Sequence, residues 1–171
     1  MQDVQQDPVR QDPGRPDPLR RSIHALMRVY WCLARPLTMG VRAAVFDEQG
    51  AVLLVRHSYM RGWYLPGGGV ERGETTLQSV TRELDEEAGI LLRELPRLFG
   101  LYANFREFKS DHVALYVVSP GTYEREARRS LEIAEYGFFP PDALPEGTSG
   151  ATRARIEEIS KGLTPPAMWA P

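Results

Sequence analysis

GGGVERGETTLQSVTRELDEEAGI, residues Gly67–Ile90, packs carboxylates beside glycines more densely than any other part of the chain. Gly67, Gly68 and Gly69 predict a turn whose backbone can take positive φ and bring peptide groups close to a ligand. A helix is expected to follow. Thr75 and Thr76 are candidate N-caps, Leu77, Val80, Leu84 and Ala88 recur at helical spacing, and Gly89 ends the run. Those four apolar residues are expected to face the core.

On that helix Glu83, Glu86 and Glu87 stand at i, i+3 and i+4, so their side chains gather on one flank beside the apolar stripe. Like charges so placed cost an isolated helix about 0.2–0.5 kcal/mol per pair, a penalty that a bound divalent cation reverses. An oxygen-only donor set favours Mg²⁺, with Mn²⁺ as the alternative, over Zn²⁺, and Mg²⁺ completes its octahedron with water and phosphate oxygens. The competing interpretation is a solvated acidic face balanced by Arg82.

The whole stretch resembles the Nudix box, G-x5-E-x7-R-E-U-x-E-E-x-G-U with U aliphatic. Gly68, Glu74, Arg82, Glu83, Leu84, Glu86, Glu87, Gly89 and Ile90 fill every fixed position at the stated spacing. The resemblance implies an α/β fold, the Nudix-type α/β/α sandwich around a mixed β-sheet. It also implies a pyrophosphohydrolase that uses Mg²⁺ to cleave a nucleoside diphosphate linked to another group, such as a nucleotide sugar, ADP-ribose or a nucleoside triphosphate. Glu83, Glu86 and Glu87, with the Gly67 carbonyl, are then the metal ligands, and Glu86 is also a candidate to accept a proton from the attacking water. Glu74 and Arg82 hold the loop and orient the glutamates. Some members of the family place the base outside the box, which keeps Glu132 and Glu135, at the entry to a later strand, as candidate base or ligand. The alternative is a Nudix-fold module that binds or senses a nucleotide without cleaving it. Loss of box glutamates is its usual mark, and none is lost here. Isomerisation of an isoprenoid diphosphate on the same fold commonly needs a cysteine before the box, and Cys32 lies too far toward the amino terminus to serve.

Upstream of the box, Val41–Phe46 and Ala51–Val55 are aliphatic runs separated by Asp47-Glu48-Gln49-Gly50, which predicts a hairpin. Trp63 to Pro66 is expected to form a short strand feeding the glycine turn. Between them Arg56 and Arg61 are candidate phosphate contacts and Tyr64 a candidate support for base or sugar, while His57 is read as a polar loop residue. Downstream, Leu98–Phe105, His112–Val118 and Glu132–Phe139 predict strands, the second apolar enough to be central. Thr152–Gly162 predicts a closing amphipathic helix with Ile156 and Ile159 inward and Arg155 and Glu158 in solvent.

Around this domain, assigned to residues 37–163, the ends differ in character. Residues 1–20, rich in Pro, Asp, Gln and Arg, predict a disordered tail, and residues 164–171 a flexible one. Residues 21–36 carry Ile23, Leu26, Met27, Tyr30, Trp31 and Leu33 at amphipathic spacing and end at Pro36. They are read as an extra amino-terminal helix that packs on the domain or on a second subunit, giving a homodimer. It is too short to span a bilayer. A chain of 171 residues with 42% hydrophobic content suits one core, and a net charge of −2 argues against a general nucleic-acid partner. The single Cys32 points to a reducing, cytoplasmic setting. The expected partner is a small nucleoside diphosphate derivative.

Overall fold

The computed structural model describes residues 37–105, 110–127 and 130–169. The helix read over residues 21–36 and the tail before it lie outside these. Among the described residues, β1 (Thr38–Val45) and β2 (Val52–His57) precede α1 (Thr76–Ala88). There follow β3 (Ile90–Leu92), β4 (Arg97–Ala103), β5 (Asp111–Val118), β6 (Tyr123–Arg125), β7 (Ile133–Phe139) and α2 (Gly150–Ser160). The central strand is β5, buried on both faces, with β1 parallel on one side and β4 antiparallel on the other. β2 pairs antiparallel with β7, and β3 with β6. The mixed sheet and its helices give the α/β architecture that the box led us to expect.

The two-residue period of the strands sorts their side chains onto two helices. Val41, Ala43 and Val45 of β1, Leu53 of β2, and Ala114, Tyr116 and Val118 of β5 join one buried cluster with Val80, Leu84 and Ala88 of α1. Ala44, Val52, Leu54 and Leu115, the alternate residues, join a second with Trp63, Leu65, Tyr102 and Ile156 of α2. Thus α1 and α2 cover opposite faces. Leu77, the fourth residue of the expected stripe, packs half-buried against the first cluster.

Three expectations need correction. The residues around Asp47–Gly50 do turn, closed by the Asp47 carboxylate accepting from Gln49 N and Ala51 N at 3.0 and 2.8 Å and by a bridge between Phe46 and Val52. Past that bridge β1 and β2 part company, because each is apolar on both faces and finds a different long partner, β5 or β7. Trp63–Pro66 forms isolated bridges, Tyr64 with Val55 and Trp63 with Thr148, rather than a strand.

The third correction concerns α2 and the carboxy-terminal residues. Arg155 and Glu158, expected in solvent, are 2% and 9% exposed. The Arg155 guanidinium donates to Glu158 Oε1 at 2.5 Å and to the carbonyls of Met168 and Trp169 at 2.9 Å, and it lies 4.4 Å from the Tyr102 ring centroid. Tyr102 OH donates to the other Glu158 oxygen at 3.1 Å, and burial with that carboxylate pushes the phenol well above its usual range. The segment expected to be a flexible tail is therefore fixed as far as Trp169, whose amide donates to Ala103 O at 2.9 Å. No helix among the described residues is long and apolar enough to cross a membrane.

Removing one partner of this buried pair leaves an uncompensated charge. Arg155→Ala is expected to lower unfolding free energy by about 3–5 kcal/mol in urea titrations, and Arg155→Met with Glu158→Leu to recover most of it. A loss below about 1 kcal/mol for Arg155→Ala would show that the network does not hold the carboxy-terminal segment.

Candidate active site

The loop that opens the box runs beside β1 as an irregular extra strand. Ala43 N donates to Pro66 O, Val41 N to Gly68 O and Val70 N to Met39 O, each at 2.9 Å. Gly67 holds φ at +136°, and a Cβ there would stand 2.2 Å from Val41 O, so only glycine lets the loop lie this close. Thr75 then caps α1: the Gln78 amide donates to its Oγ1 at 3.2 Å, and its own amide donates to Gln78 Oε1 at 2.9 Å. Thr76, the other candidate cap, instead bonds Tyr116 OH at 2.7 Å. Gly89 closes the helix in the left-handed conformation.

Arg82 sits at the centre of the polar flank. Its Nε and Nη2 meet the two Glu74 oxygens at 3.0 and 3.1 Å, its Nη1 meets Glu83 Oε1 at 2.8 Å and Glu86 Oε2 at 3.2 Å, and Nη2 also reaches Gly69 O at 3.2 Å. The guanidinium holds the Glu74 carboxyl down at about 2, helped by the Glu71 amide, while these carboxylates push the guanidinium further up.

Glu83 and Glu87 differ from Glu86 by burial. Glu86 is more than half exposed. Burial raises the Glu83 carboxyl above its usual value, against the pull of Arg82. Its carboxylate lies under Gly68, where a Cβ would stand 2.3 Å from Glu83 Oε1. Glu87 is 6% exposed. It accepts from Gly67 N at 2.8 Å, and its other oxygen stands 3.8 Å from Nδ1 of His57. Burial lifts it to about 7, although the Gly67 amide and the Arg42 charge pull the other way.

These groups open onto a cleft of about 920 Å³. Of the residues singled out from the sequence, Glu83, Glu87, Gly67, Tyr64 and Glu132 line it. Arg56 lies outside, in an exposed pair with Glu135 at 2.6 Å. Arg61 is not among the lining residues either, and its carbonyl accepts from Tyr64 OH at 2.8 Å. Glu135 contributes instead to a smaller cavity that also touches Glu87.

Sequence reasoning missed Arg42 and misread His57. Arg42 reaches into the cleft from β1 and donates to the Gly67 carbonyl. A basic residue within an aliphatic strand was the available signal. His57, read as a loop residue, is the buried last residue of β2, at the bulge where the register with β7 shifts. Its Nδ1 has no hydrogen-bond partner, and burial lowers its pKa.

Among the described residues no three His, Cys, Asp or Glu side chains converge into a ready cage for a metal ion. The donor chemistry nevertheless fits a hard divalent cation. Glu87 is buried and Glu83 half-buried in the cleft lining, both at a desolvation cost, and Glu87 holds one amide hydrogen bond. Glu83 and Glu87 are the cleft residues that could hold it, together with the Gly67 carbonyl once Arg42 turns away, while Glu86, exposed and paired with Arg82, is not among the residues lining the cleft.

Comparison with known proteins agrees with this geometry. The NUDIX domain pattern matches residues 36–159. The chain is 39% identical over 129 residues to a MutT-like protein of Streptomyces ambofaciens, covering 75% of this chain and 80% of that one. It is 30% identical over 105 residues to an ADP-ribose pyrophosphatase of Methanocaldococcus jannaschii, covering 60% of this chain and 62% of that protein, less than two thirds of its length. Among solved structures, the MutT NUDIX hydrolase from Burkholderia pseudomallei has a TM-score of 0.61 at 28% identity, over 73% of this chain and 99% of that one.

The Glu87 shift carries a sign that can be tested. Its folded pKa of about 7 exceeds the ordinary 4.5, so its contribution to stability is full below pH 4.5 and is lost as pH rises through 7. With metal chelated, Glu87→Gln is expected to raise unfolding free energy at pH 8 by on the order of 1–3 kcal/mol and to change little at pH 4.5. Equal effects at both pH values would show that the carboxyl is not desolvated.

Proposed function

The chain belongs to the Nudix family, as a pyrophosphohydrolase, and from that premise we propose that it is a divalent-metal-dependent hydrolase of nucleoside diphosphates linked to another group. Similarity to an ADP-ribose pyrophosphatase makes ADP-ribose and nucleotide sugars the first substrates to test. One observation carries the reading: buried Glu87 and half-buried Glu83 both line a cleft that Arg42 enters from β1. A desolvated carboxylate pair without a cage of its own suits a cation and a polyphosphate that arrive together.

The residues divide the work. Glu83 and Glu87 hold Mg²⁺, or Mn²⁺ in its place. When bound, such a cation neutralises pyrophosphate charge and acidifies water. Arg82 fixes Glu83 and Glu86 in orientation through its bridge to Glu74. Arg42, once released from Gly67, pairs with a phosphate oxygen, the duty read from sequence for Arg56 or Arg61. Glu132, which lines the cleft and is not among the residues assigned to the metal, accepts the proton from water. Tyr64 flanks the substrate. The domain of residues 37–163, assembly as a homodimer and a cytoplasmic setting consistent with the lone Cys32 complete the proposal.

The test is release of nucleoside monophosphate from ADP-ribose, a nucleotide sugar and nucleoside triphosphates, with Mg²⁺, Mn²⁺ or chelator. Metal-dependent cleavage is expected, with kcat reduced about a hundredfold or more in Glu83→Gln. Arg82→Ala should cost about ten- to a hundredfold. Binding of one compound without cleavage of any would move the assignment to a nucleotide-sensing module.

A further inference from the structure

The cleft has a second end that the metal chemistry does not use. Where β4 stops and β5 begins, Asn104 and Asp111 are 8% and 9% exposed, and both line the cleft together with Thr38 and Trp169. Asn104 Nδ2 donates to Asp111 Oδ2 at 2.9 Å, and Thr38 Oγ1 donates to Asp111 Oδ1 at 2.8 Å. The two residues are also tied through the backbone, Asn104 N donating to Asp111 O at 2.8 Å. Trp169 is placed by its amide bond to Ala103 O and by Arg155, which donates to its carbonyl and lies 5.5 Å from its ring centroid.

This arrangement dictates which way the Asn104 amide faces. A carboxylate only accepts hydrogen bonds, so Asn104 must turn its NH₂ toward Asp111. Its Oδ1 is thereby held on the other side, and it accepts no hydrogen bond from the described residues. An acceptor fixed in this way complements an N–H donor. A carbonyl set against it would leave two acceptors facing each other, which disfavours a keto group at that position.

We propose that Asn104 reads an exocyclic amine on the nucleobase of the substrate, with Asp111 and Thr38 fixing the orientation of its amide and Trp169 flanking the base. The proposal rests on the cleft being the nucleoside diphosphate site, and it names the class that the site selects: bases with an amine at purine position 6 or pyrimidine position 4, adenine or cytosine, over their keto counterparts, hypoxanthine or uracil. The two ends of the cleft then recognise the two ends of a nucleotide, the pyrophosphate over α1 and the base at the junction of β4 and β5.

Titration calorimetry on the full chain with AMP against IMP, and CMP against UMP, tests this without needing turnover, since none of these ligands has a pyrophosphate bond. At least fivefold tighter binding of AMP than IMP and of CMP than UMP is expected. Asn104→Ala should bring each ratio within twofold while keeping the urea midpoint close to that of the native protein. Should Asn104→Ala fail to fold, Asp111→Asn carries the test, since it frees the amide to turn over and should narrow both ratios. Equal affinities in the native protein, no saturable binding of AMP, or ratios unchanged in the folded variants would overturn the proposal. Amine selectivity without hydrolysis of any diphosphate would uphold the base subsite and overturn only the hydrolase reading.

Discussion

The Arg82 guanidinium is the constraint on which the site depends. A helix that sets three glutamates along one flank repels itself, and the loop before it has no regular ladder on its outer side. One planar cation addresses both problems. It binds Glu74 through two parallel contacts, joins Glu83 and Glu86, and reaches the Gly69 carbonyl. Lysine could supply the charge but not the fork that spans these acceptors at once. Because the loop is pinned to α1 by Arg82 and to β1 by backbone hydrogen bonds, Gly68 settles directly over the Glu83 carboxylate, where any larger residue would collide with it.

The same helix shows what the site costs the fold. Val80, Leu84 and Ala88 form an ordinary inward stripe, and Glu87, next to Ala88, falls at its edge. That position draws a carboxylate into the margin of the core, where local pattern would favour an apolar residue. Proteins break such rules at functional sites and compensate elsewhere. Here compensation comes from the Gly67 amide and the Arg42 charge, which lower the Glu87 pKa while burial, Glu83 and Glu132 raise it. The balance near neutrality belongs to the cluster and not to one residue.

The helix, its caps, its buried stripe and the flank of glutamates were all legible in the sequence because each is set by residues within a few turns of one another. Central β5 was legible from its continuous apolar run. The parts that escaped depend on which distant segments meet. Arg42 looks like a residue on a strand's wet face until the glycine loop runs along that strand and offers it the Gly67 carbonyl. His57 looks like a loop residue until β7 pairs with β2 and a bulge turns it inward. Arg155 and Glu158 flank the correctly read Ile156, and only the arrival of Tyr102 and the carboxy-terminal segment buries them. A Pro-rich ending without periodicity gave no sign that Trp169 would wall the cleft.

That last contact links stability to the site. The cleft has two ends that share β1: β1, the glycine loop and α1 carry the glutamates, while β4, β5, Thr38 of β1 and the residues after α2 carry the Asn104–Asp111 pair. Arg155 is the tie for the second, since the carbonyls it binds belong to Met168 and Trp169 and the ring it stacks on belongs to β4. A buried cation–carboxylate pair adds little net stability compared with apolar packing. What this one provides is position: it directs a Pro-rich segment to one edge of the sheet and sets an indole in the cleft that Asn104 lines. The division also separates the duties chemically. Charged groups that would compete for a base's hydrogen bonds stay at the α1 end, and the corner between β4 and β5 keeps its two acidic oxygens occupied by Thr38 and Asn104, so that a neutral amide is what meets the ligand.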